Sequence, residues 1–471
     1  MKKSILALIF SGAILFTSCK TEATVDSAEV QKIVDAAVAA ALQNYPNTQV
    51  IADAAAAAAT QAVNAGLASL DINGAIEAAL SAADALANPT VVRVGTGGVT
   101  YISSNTTWTN DKVWLMDGKI VVQNGATLTV EAGTIVKAAA GTGANATVLI
   151  VAKGAKIEAI GTAEKPIIFT DANDQIVYAN GTTSPNRSVT DKGLWGSVII
   201  LGNGIVGAAS GEANIEGVVS GYEFTKYGGS NNAENSGTLK YVSIRHTGTA
   251  VSPGNELQGL TMGGVGSGTV TENIELIGSE DDGIEIFGGA VNVTNIVIAN
   301  FDDDGIDLDQ NYSGTIENFA VIHGDGIETD EGLEIDGPEG SATGSFTLQN
   351  ATIIGNTTTE NGEYADYRSG ATGTTNNIYA YGFKASSDVE LDNDGVATNY
   401  NDGQLIFGIW ELVLPEGVTD VTSLFVNKAD NVSVTDFGIT ASAITEGENT
   451  VGANTSSLSW TYSNDAGSLN F

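Results

Sequence analysis

The chain is poor in cysteine, histidine and basic residues, and each shortage narrows what the protein can be. Of its 471 residues one is Cys and two are His, so an internal disulfide is excluded. The two histidines, His246 and His323, are expected to be packed in the fold rather than to form a metal site. Lysine and arginine total 19 against 56 acidic residues, and the formal net charge is −37. This charge argues against nucleic-acid binding, which depends on basic patches.

Proline is also scarce, with 7 residues, whereas glycine is abundant, with 57. Short aliphatic runs alternate with Gly, Asn and Thr from residue 91 onward. This pattern favours an all-β body with many tight turns. Long apolar runs are missing too, because the run at residues 5–16 is too short to span a bilayer.

The N-terminus has the pattern of a lipoprotein signal. A basic start, Met1-Lys2-Lys3, precedes the apolar run, which ends in Leu15-Phe16-Thr17-Ser18-Cys19. This ending resembles a bacterial lipobox, so we predict a signal peptide over residues 1–18 and lipidation of Cys19. An ordinary signal peptide followed by a chance cysteine is the alternative. The predicted location is the outer membrane, on either its cell-surface or its periplasmic face.

Composition divides the rest of the chain into four parts. Residues 19–26 are a short tether, and residues 27–90 are Ala-rich with apolar residues at helical spacing, which predicts an α-helical segment. Residues 91–400 carry short alternating strand patterns. Residues 401–471 lose the repeat, and we expect them to form a C-terminal cap with irregular strands, since a solenoid must cover its last coil.

A five-residue phrase repeats in the centre of the chain. It reads acid, Gly, aliphatic, acid, aliphatic at Asp282–Ile286, Asp304–Leu308 and Glu331–Ile335. Asparagines keep step with it at Asn273 and Asn295, 22 residues apart. A period in the low twenties with several strand patterns per period indicates a solenoid. We therefore predict successive coils of a parallel β-helix.

The repeated acids predict ladders of like charge. Equivalent positions of adjacent coils stack about 4.8 Å apart, and two carboxylates about 5 Å apart repel by roughly 0.8 kcal/mol in water and about 3 kcal/mol at an effective dielectric of 20. No Lys or Arg lies between Arg245 and Arg368. The acids either fan out into water or bind Ca²⁺, which prefers hard oxygen ligands. The candidate ligands are Asp281, Asp282, Asp303, Asp304, Glu331 and Glu334.

Short phrases between residues 92 and 400 carry a family resemblance. They are Asp117–Ile120, Asn124–Thr134, Gly193–Gly196, Leu239–His246 and Asp281–Gly289. The phrases resemble those of a bacterial, Bacteroidetes-type family of secreted proteins and lipoproteins. The resemblance implies a right-handed parallel β-helix of the pectin-lyase-like type, and it implies no particular biochemical activity.

Three functions remain open on the sequence, and binding is favoured. In the first, the anchored lipoprotein is a binding or adhesion surface for a glycan or a surface protein. In the second it is a polysaccharide lyase or glycoside hydrolase with Asp282, Asp304 and Glu334 as candidate catalytic acids. Acids are so frequent here that a suitably spaced pair is expected by chance. A lyase base would have to come from Arg245, Arg368 or Lys384 at the margins. In the third the protein is a structural envelope component without a ligand.

Overall fold

The computed structural model describes residues 89–467 apart from 219–220, 253–254, 325–328 and 360. The chain divides into two compact units, residues 1–90 with 177–181 and residues 91–176 with 182–471, and the β-sheets belong almost entirely to the second. The predicted signal peptide, the tether with Cys19 and nearly all of the predicted helical segment lie outside the described residues.

One strand of each coil belongs to an 11-stranded sheet in which neighbours pair in parallel. Side chains alternate along these strands, so that Ile284 and Ile286 enter the core while Glu285 between them points outward. Its strands are β2 (Val99–Ile102), β5 (Lys119–Val122), β8 (Val148–Val151), β11 (Val198–Leu201), β17 (Leu260–Gly263), β19 (Ile284–Phe287), β21 (Ile306–Asp309), β23 (Leu333–Ile335), β25 (Ala365–Tyr367), β27 (Val389–Leu391) and β30 (Phe425–Asn427).

The rest of each coil belongs to a 16-stranded sheet, also paired in parallel. Its strands are β1 (Thr90–Val94), β3 (Thr106–Trp108), β4 (Lys112–Met116), β6 (Thr127–Val130), β7 (Ile135–Ala138), β9 (Lys156–Ile160), β10 (Ile167–Asp171), β14 (Gly237–Thr247), β18 (Val270–Ser279), β20 (Asn292–Phe301), β22 (Thr315–Ile322), β24 (Phe346–Ile354), β26 (Gly373–Tyr381), β28 (Leu405–Phe407), β29 (Trp410–Leu412) and β31 (Ala441–Ala443). The first half of β14 pairs with β9 and its second half with β10, so two short strands per coil merge into one long strand. The predicted parallel β-helix is confirmed.

An asparagine bends each of the five long strands from β18 to β26 at the same point, where β14 has Tyr241. Asn273, Asn295, Asn318, Asn350 and Asn377 have φ between 57° and 60°, a left-handed conformation that Asn tolerates better than most residues. Their side chains stack, because Asn295 Nδ2 donates to Asn273 Oδ1 at 3.2 Å and Asn318 Nδ2 donates to Asn295 Oδ1 at 2.6 Å. The asparagine repeat of the sequence is therefore the repeat of this bend.

Two polar segments leave the solenoid, and the second covers part of the 11-stranded sheet. The first spans residues 172–197. The second, residues 202–236, carries the hairpin of β12 (Ala213–Asn214) and β13 (Lys226–Tyr227). Its Ile215 and Tyr227 pack with Ile150 and Ile199, which point out of the sheet. A further hairpin joins β15 (Thr249–Ser252) to β16 (Asn255–Leu257).

Both sheets continue past residue 401, where the sequence indicated a cap with irregular strands. Helix α1 (Asp394–Asn401) precedes β28, and β28 and β29 pair in parallel with β26 just as β9 and β10 pair with β14. β30 and β31 add one strand more to each sheet. Regular coils therefore extend further than the repeat in the sequence does.

Residues 444–465, which we call the strap, run back along the outer face of the 16-stranded sheet. Thr450 bonds to Glu411, Ala453 N donates to Thr352 Oγ1 at 3.1 Å, and Ser463 N donates to Glu275 Oε1 at 2.8 Å. The strap ends in a short helix, α2 (Tyr462–Asp465). Among the residues described, no helix has the length and apolarity needed to cross a membrane.

Candidate cation-binding face

An outward-facing column of the 11-stranded sheet changes from apolar to acidic along the solenoid. In the early strands the position holds Val121, Ile150 and Ile199, which are buried. In the later strands it holds acids, and the strand register places each beside the next. Strands are about 4.8 Å apart, so the carboxyls are close neighbours. We call these residues the central column: Glu285, Asp307, Glu334, Asp366 and Glu390.

The turn before each of these strands adds a second acidic column. Asp304 N donates to Asp282 Oδ1 at 3.0 Å, and Glu331 N donates to Asp304 Oδ1 at 2.8 Å, so each carboxylate fastens the turn of the next coil. The glycine that follows is required by packing, because a Cβ at Gly283 would lie 2.1 Å from Ile298 Cγ2. The residues of this turn column are Asp282, Asp304, Glu331 and Glu363.

A third outward column, at the far end of the same strands, contains the bases of this face. Backbone hydrogen bonds to the preceding coil hold its members in register. Arg368 Nε lies 2.8 Å from Asp336 Oδ2, and the guanidinium also contacts Glu334. Lys428 contacts Glu390. We call this the flanking column: Asp309, Asp336, Arg368, Asp392 and Lys428.

Burial and like charge raise the pKa of several acids of this face. Desolvation is the larger cause for Glu285, whose pKa lies well above its ordinary value, and repulsion by Asp307 adds to it. The pKa values of Asp282 and Asp304 are raised well above the ordinary range for the same two reasons. Burial, followed by repulsion from Asp303, raises the pKa of Asp281 to about 8. The ionised form of these acids is therefore costly unless positive charge lies beside them.

Several buried carboxyl oxygens have no hydrogen-bond donor. Glu285 is 5% exposed, and its Oε2 has no partner. The same holds for Asp307 Oδ1 and Glu331 Oε2. The carboxyl neighbours of Glu285 are Asp307 and, from the 202–236 segment, Glu216. A buried, unpartnered carboxylate is costly, and a group of hard oxygen donors suits Ca²⁺.

The columns bring most of the predicted metal ligands together. Carboxyl oxygens lie within 4.8 Å of one another in three sets, which are Asp282 with Glu285 and Asp307, Asp282 with Asp303 and Asp304, and Asp304 with Glu331 and Glu334. Asp281 lies near Asp303 and Glu216.

Sequence reasoning omitted Glu285 and Asp307 from the ligand set. Both are the second acid of the repeated phrase, which alternation places on an outward strand position. That alternation is the signal that identifies them. It applies equally to Asp366 and Glu390, although their surroundings in the sequence no longer match the phrase.

The candidate catalytic residues occupy different surroundings. Asp282 and Asp304 are buried and accept backbone hydrogen bonds from the next turn, whereas Glu334 contacts Arg368. Arg368 reaches the acidic columns, but Arg245 is fully buried on the other sheet, 3.6 Å from Glu275.

The histidines lie on different coils and away from these acids. His246 Nδ1 lies 2.7 Å from the carbonyl oxygen of Asp191. His323 packs between Phe301 and Phe383, with ring centroids 5.4 and 5.2 Å away. Both side chains are packed, as the sequence indicated.

Residues 100–463 match the family model described as a pectate-lyase-like β-helix domain. The matched span includes nearly all strands of the two sheets and most of the strap. No curated protein and no solved structure matches the chain.

Proposed function

The chain belongs to the family of pectate-lyase-like β-helix domains, and on that premise we propose that it is a Ca²⁺-dependent glycan-binding module held at the outer membrane by lipid on Cys19. The unpartnered buried oxygens of Glu285 and Asp307 carry the proposal. Bound Ca²⁺ supplies the missing charge and leaves coordination positions for ligand oxygens. Family membership alone does not decide an activity, because one fold hosts many functions.

Part of the acidic face is exposed to solvent and can be reached by a ligand, although its inner carboxyls are buried. The strap covers the outer face of the 16-stranded sheet, where Leu458 packs on Val297 and Ala320. The 202–236 segment covers the early strands of the 11-stranded sheet and reaches β19, where Tyr227 packs on Phe287 and Glu216 lies near Glu285. Over the later strands, Asp303 is exposed and the side chain of Arg368 is 37% exposed.

Charge selects the class of glycan. Without cations, the three columns repel a polyanion, and with cations each ion is shared between protein carboxylates and ligand carboxylates. We therefore propose an acidic polysaccharide as the ligand. Glu285, Asp307 and Asp282 would hold the ion.

The experiment is co-elution of the full chain, solubilised in detergent, with polygalacturonate in size-exclusion chromatography. We expect the polymer to carry the protein in Ca²⁺ and to release it in EDTA. The double variant Glu285→Gln/Asp307→Asn should lose co-elution, whereas Glu223→Gln, which changes an exposed acid of the 202–236 segment, should keep it. Equal co-elution in Ca²⁺ and EDTA would contradict the proposal.

A lyase activity is the second candidate, and the position of Arg368 favours it. Its guanidinium lies among Glu334, Asp336 and Asp366. In β-elimination these acids would hold the uronate carboxylate through Ca²⁺, and Arg368, in its neutral form, would take the proton from the sugar carbon beside that carboxylate. The same chromatography separates the two functions, because a lyase shortens the polymer and a binding module does not. Shortening that disappears in Arg368→Ala would establish the enzyme. Neither co-elution nor shortening would leave a structural envelope role.

A further inference from the structure

Among the described residues, the bases that belong to the three acidic columns lie in the C-terminal coils, whereas Lys192 of the 172–197 segment contacts Asp302, which lies outside the columns. Arg368 lies 2.8 Å from Asp336 Oδ2, contacts Glu334 and lies 3.9 Å from Asp366 Oδ2. Lys428 contacts Glu390 and lies 4.0 Å from Asp388 Oδ2. Each base projects from the flanking column toward acids of neighbouring coils.

These bases occupy two groups of acids that otherwise have the composition of a cation site. The carboxyl oxygens of Asp307, Glu334 and Asp336 lie within 4.8 Å of one another, and so do those of Glu363, Asp388 and Glu390. Arg368 contacts two members of the first group, and Lys428 lies against two members of the second.

The earlier coils have the same kind of group without a base. Asp282, Glu285 and Asp307 bring their oxygens equally close. Within the described part of the chain, no ion pair reaches any of the three. Glu285 is nine-tenths buried and its Oε2 is unpartnered. A guanidinium neutralises the corresponding group of acids later in the solenoid. Here that place among the carboxylates can be taken by a different cation.

We infer that Arg368 and Lys428 are resident counterions that take the place of divalent cations in the C-terminal coils, so that the face binds Ca²⁺ at the coils of Glu285 and Asp307 and is closed to it beyond them. This inference rests on the Ca²⁺ binding proposed above, but it requires no glycan. An arginine stays charged at every physiological pH, so it repels a second cation at the same acids permanently. Removing the base should therefore create a Ca²⁺ site that the natural chain lacks.

The test counts Ca²⁺ ions bound per chain by equilibrium dialysis with radioactive calcium, using the full chain in detergent and no polysaccharide. We expect Arg368→Met to bind one ion more than the natural chain. The matched control is Lys240→Met, which removes a base paired with Glu272 on the other sheet and should leave the number unchanged. The double variant Glu285→Gln/Asp307→Asn should bind fewer ions than the natural chain.

Lys428→Met is a second route to the same result, should Arg368→Met lose the circular-dichroism spectrum of the natural chain. A gain in neither base variant would overturn the inference, as would a double variant that keeps the natural number of ions. If the counts come out as expected but polygalacturonate is never retained, the inference stands and the proposed glycan-binding function fails.

Discussion

At the scale of the residue, burial shifts the pKa of a titratable side chain. His323, which does not belong to the acidic columns, shows this for a base. It is 4% exposed between two phenylalanine rings, and neither ring nitrogen has a hydrogen-bond partner. Burial lowers its pKa to about 3. The imidazole is therefore neutral in the folded protein at any pH where the protein is expected to work.

This depressed pKa predicts a loss of stability in mild acid. Below the unfolded pKa of about 6.5 the unfolded chain takes up a proton that the folded chain refuses, so stability falls as the pH drops from about 6.5 toward 3. Between pH 7 and pH 5 this one group should remove about 2 kcal/mol from the free energy of unfolding. Urea unfolding of the natural chain and of His323→Phe at both pH values measures the difference, which the variant should lack. The same pH dependence in both proteins would show that another group is responsible.

At the scale of the strand, the solenoid depends on side chains that repeat from coil to coil. Each asparagine of the ladder adopts a left-handed backbone, and Asn295 also bonds to the asparagines before and after it. The acids of the turn column also join neighbouring coils, because Asp282 and Asp304 accept backbone hydrogen bonds from the next coil.

The asparagine ladder predicts which of two substitutions at Asn295 lowers the free energy of unfolding more. Asn295→Gly keeps the positive φ and loses two side-chain hydrogen bonds, which should cost about 1 kcal/mol. Asn295→Val loses the same bonds and forces a β-branched residue into the left-handed region, so it should cost about 2 kcal/mol more. The free energies of unfolding in urea give the order. If the valine variant were as stable as the glycine variant, the backbone at position 295 would have changed its conformation to accommodate valine.

The repeated features were predictable from the sequence, and the changing ones were not. The acid-Gly phrase and the asparagines fix the coils from Asn273 to Glu334 because each coil repeats the same packing requirement, such as the space that Gly283 leaves for Ile298. In the next coil Tyr364 stands where glycine is expected. Asp366 follows Glu334 by 32 residues, whereas Glu334 follows Asp307 by 27, so the strand register is needed to align Asp366 with Glu334. The sequence shows Arg368 as a base at the margin of the acidic segment, yet its contact with Glu334 depends on that same register.

At the scale of the whole β-helix, the strap ties distant coils together. It touches β29 through Glu411, β24 through Thr352, β22 through Asn318 and β18 through Glu275. Nothing in its composition indicated this path, since its contacts are with residues far away in the sequence. Leu458 of the strap is fully buried against the sheet.

A single side-chain substitution tests whether the strap stabilises the solenoid. Leu458→Ala removes the buried side chain that packs on Val297 and Ala320 and should lower the free energy of unfolding by about 2–3 kcal/mol. Ile439→Ala is the matched control, because Ile439 is 71% exposed and its loss should change stability by less than about 0.5 kcal/mol. Chemical unfolding followed by circular dichroism gives both values. Equal effects would show that the strap lies on the sheet without holding it.

The strap also links its own length to the number of coils in the solenoid. Solenoids change length in evolution by duplicating or deleting coils, and each coil moves everything beyond it by about 4.8 Å. In this chain the strap bridges five strand spacings, about 24 Å, between its bonds to Glu411 on β29 and Glu275 on β18. An extra coil inside that span would oblige the strap to unwind its turn at Thr455–Leu458, to gain residues, or to give up one of its attachments. A change in the number of coils, and with it in the length of the acidic columns, therefore has a cost in the strap as well as in the coils themselves.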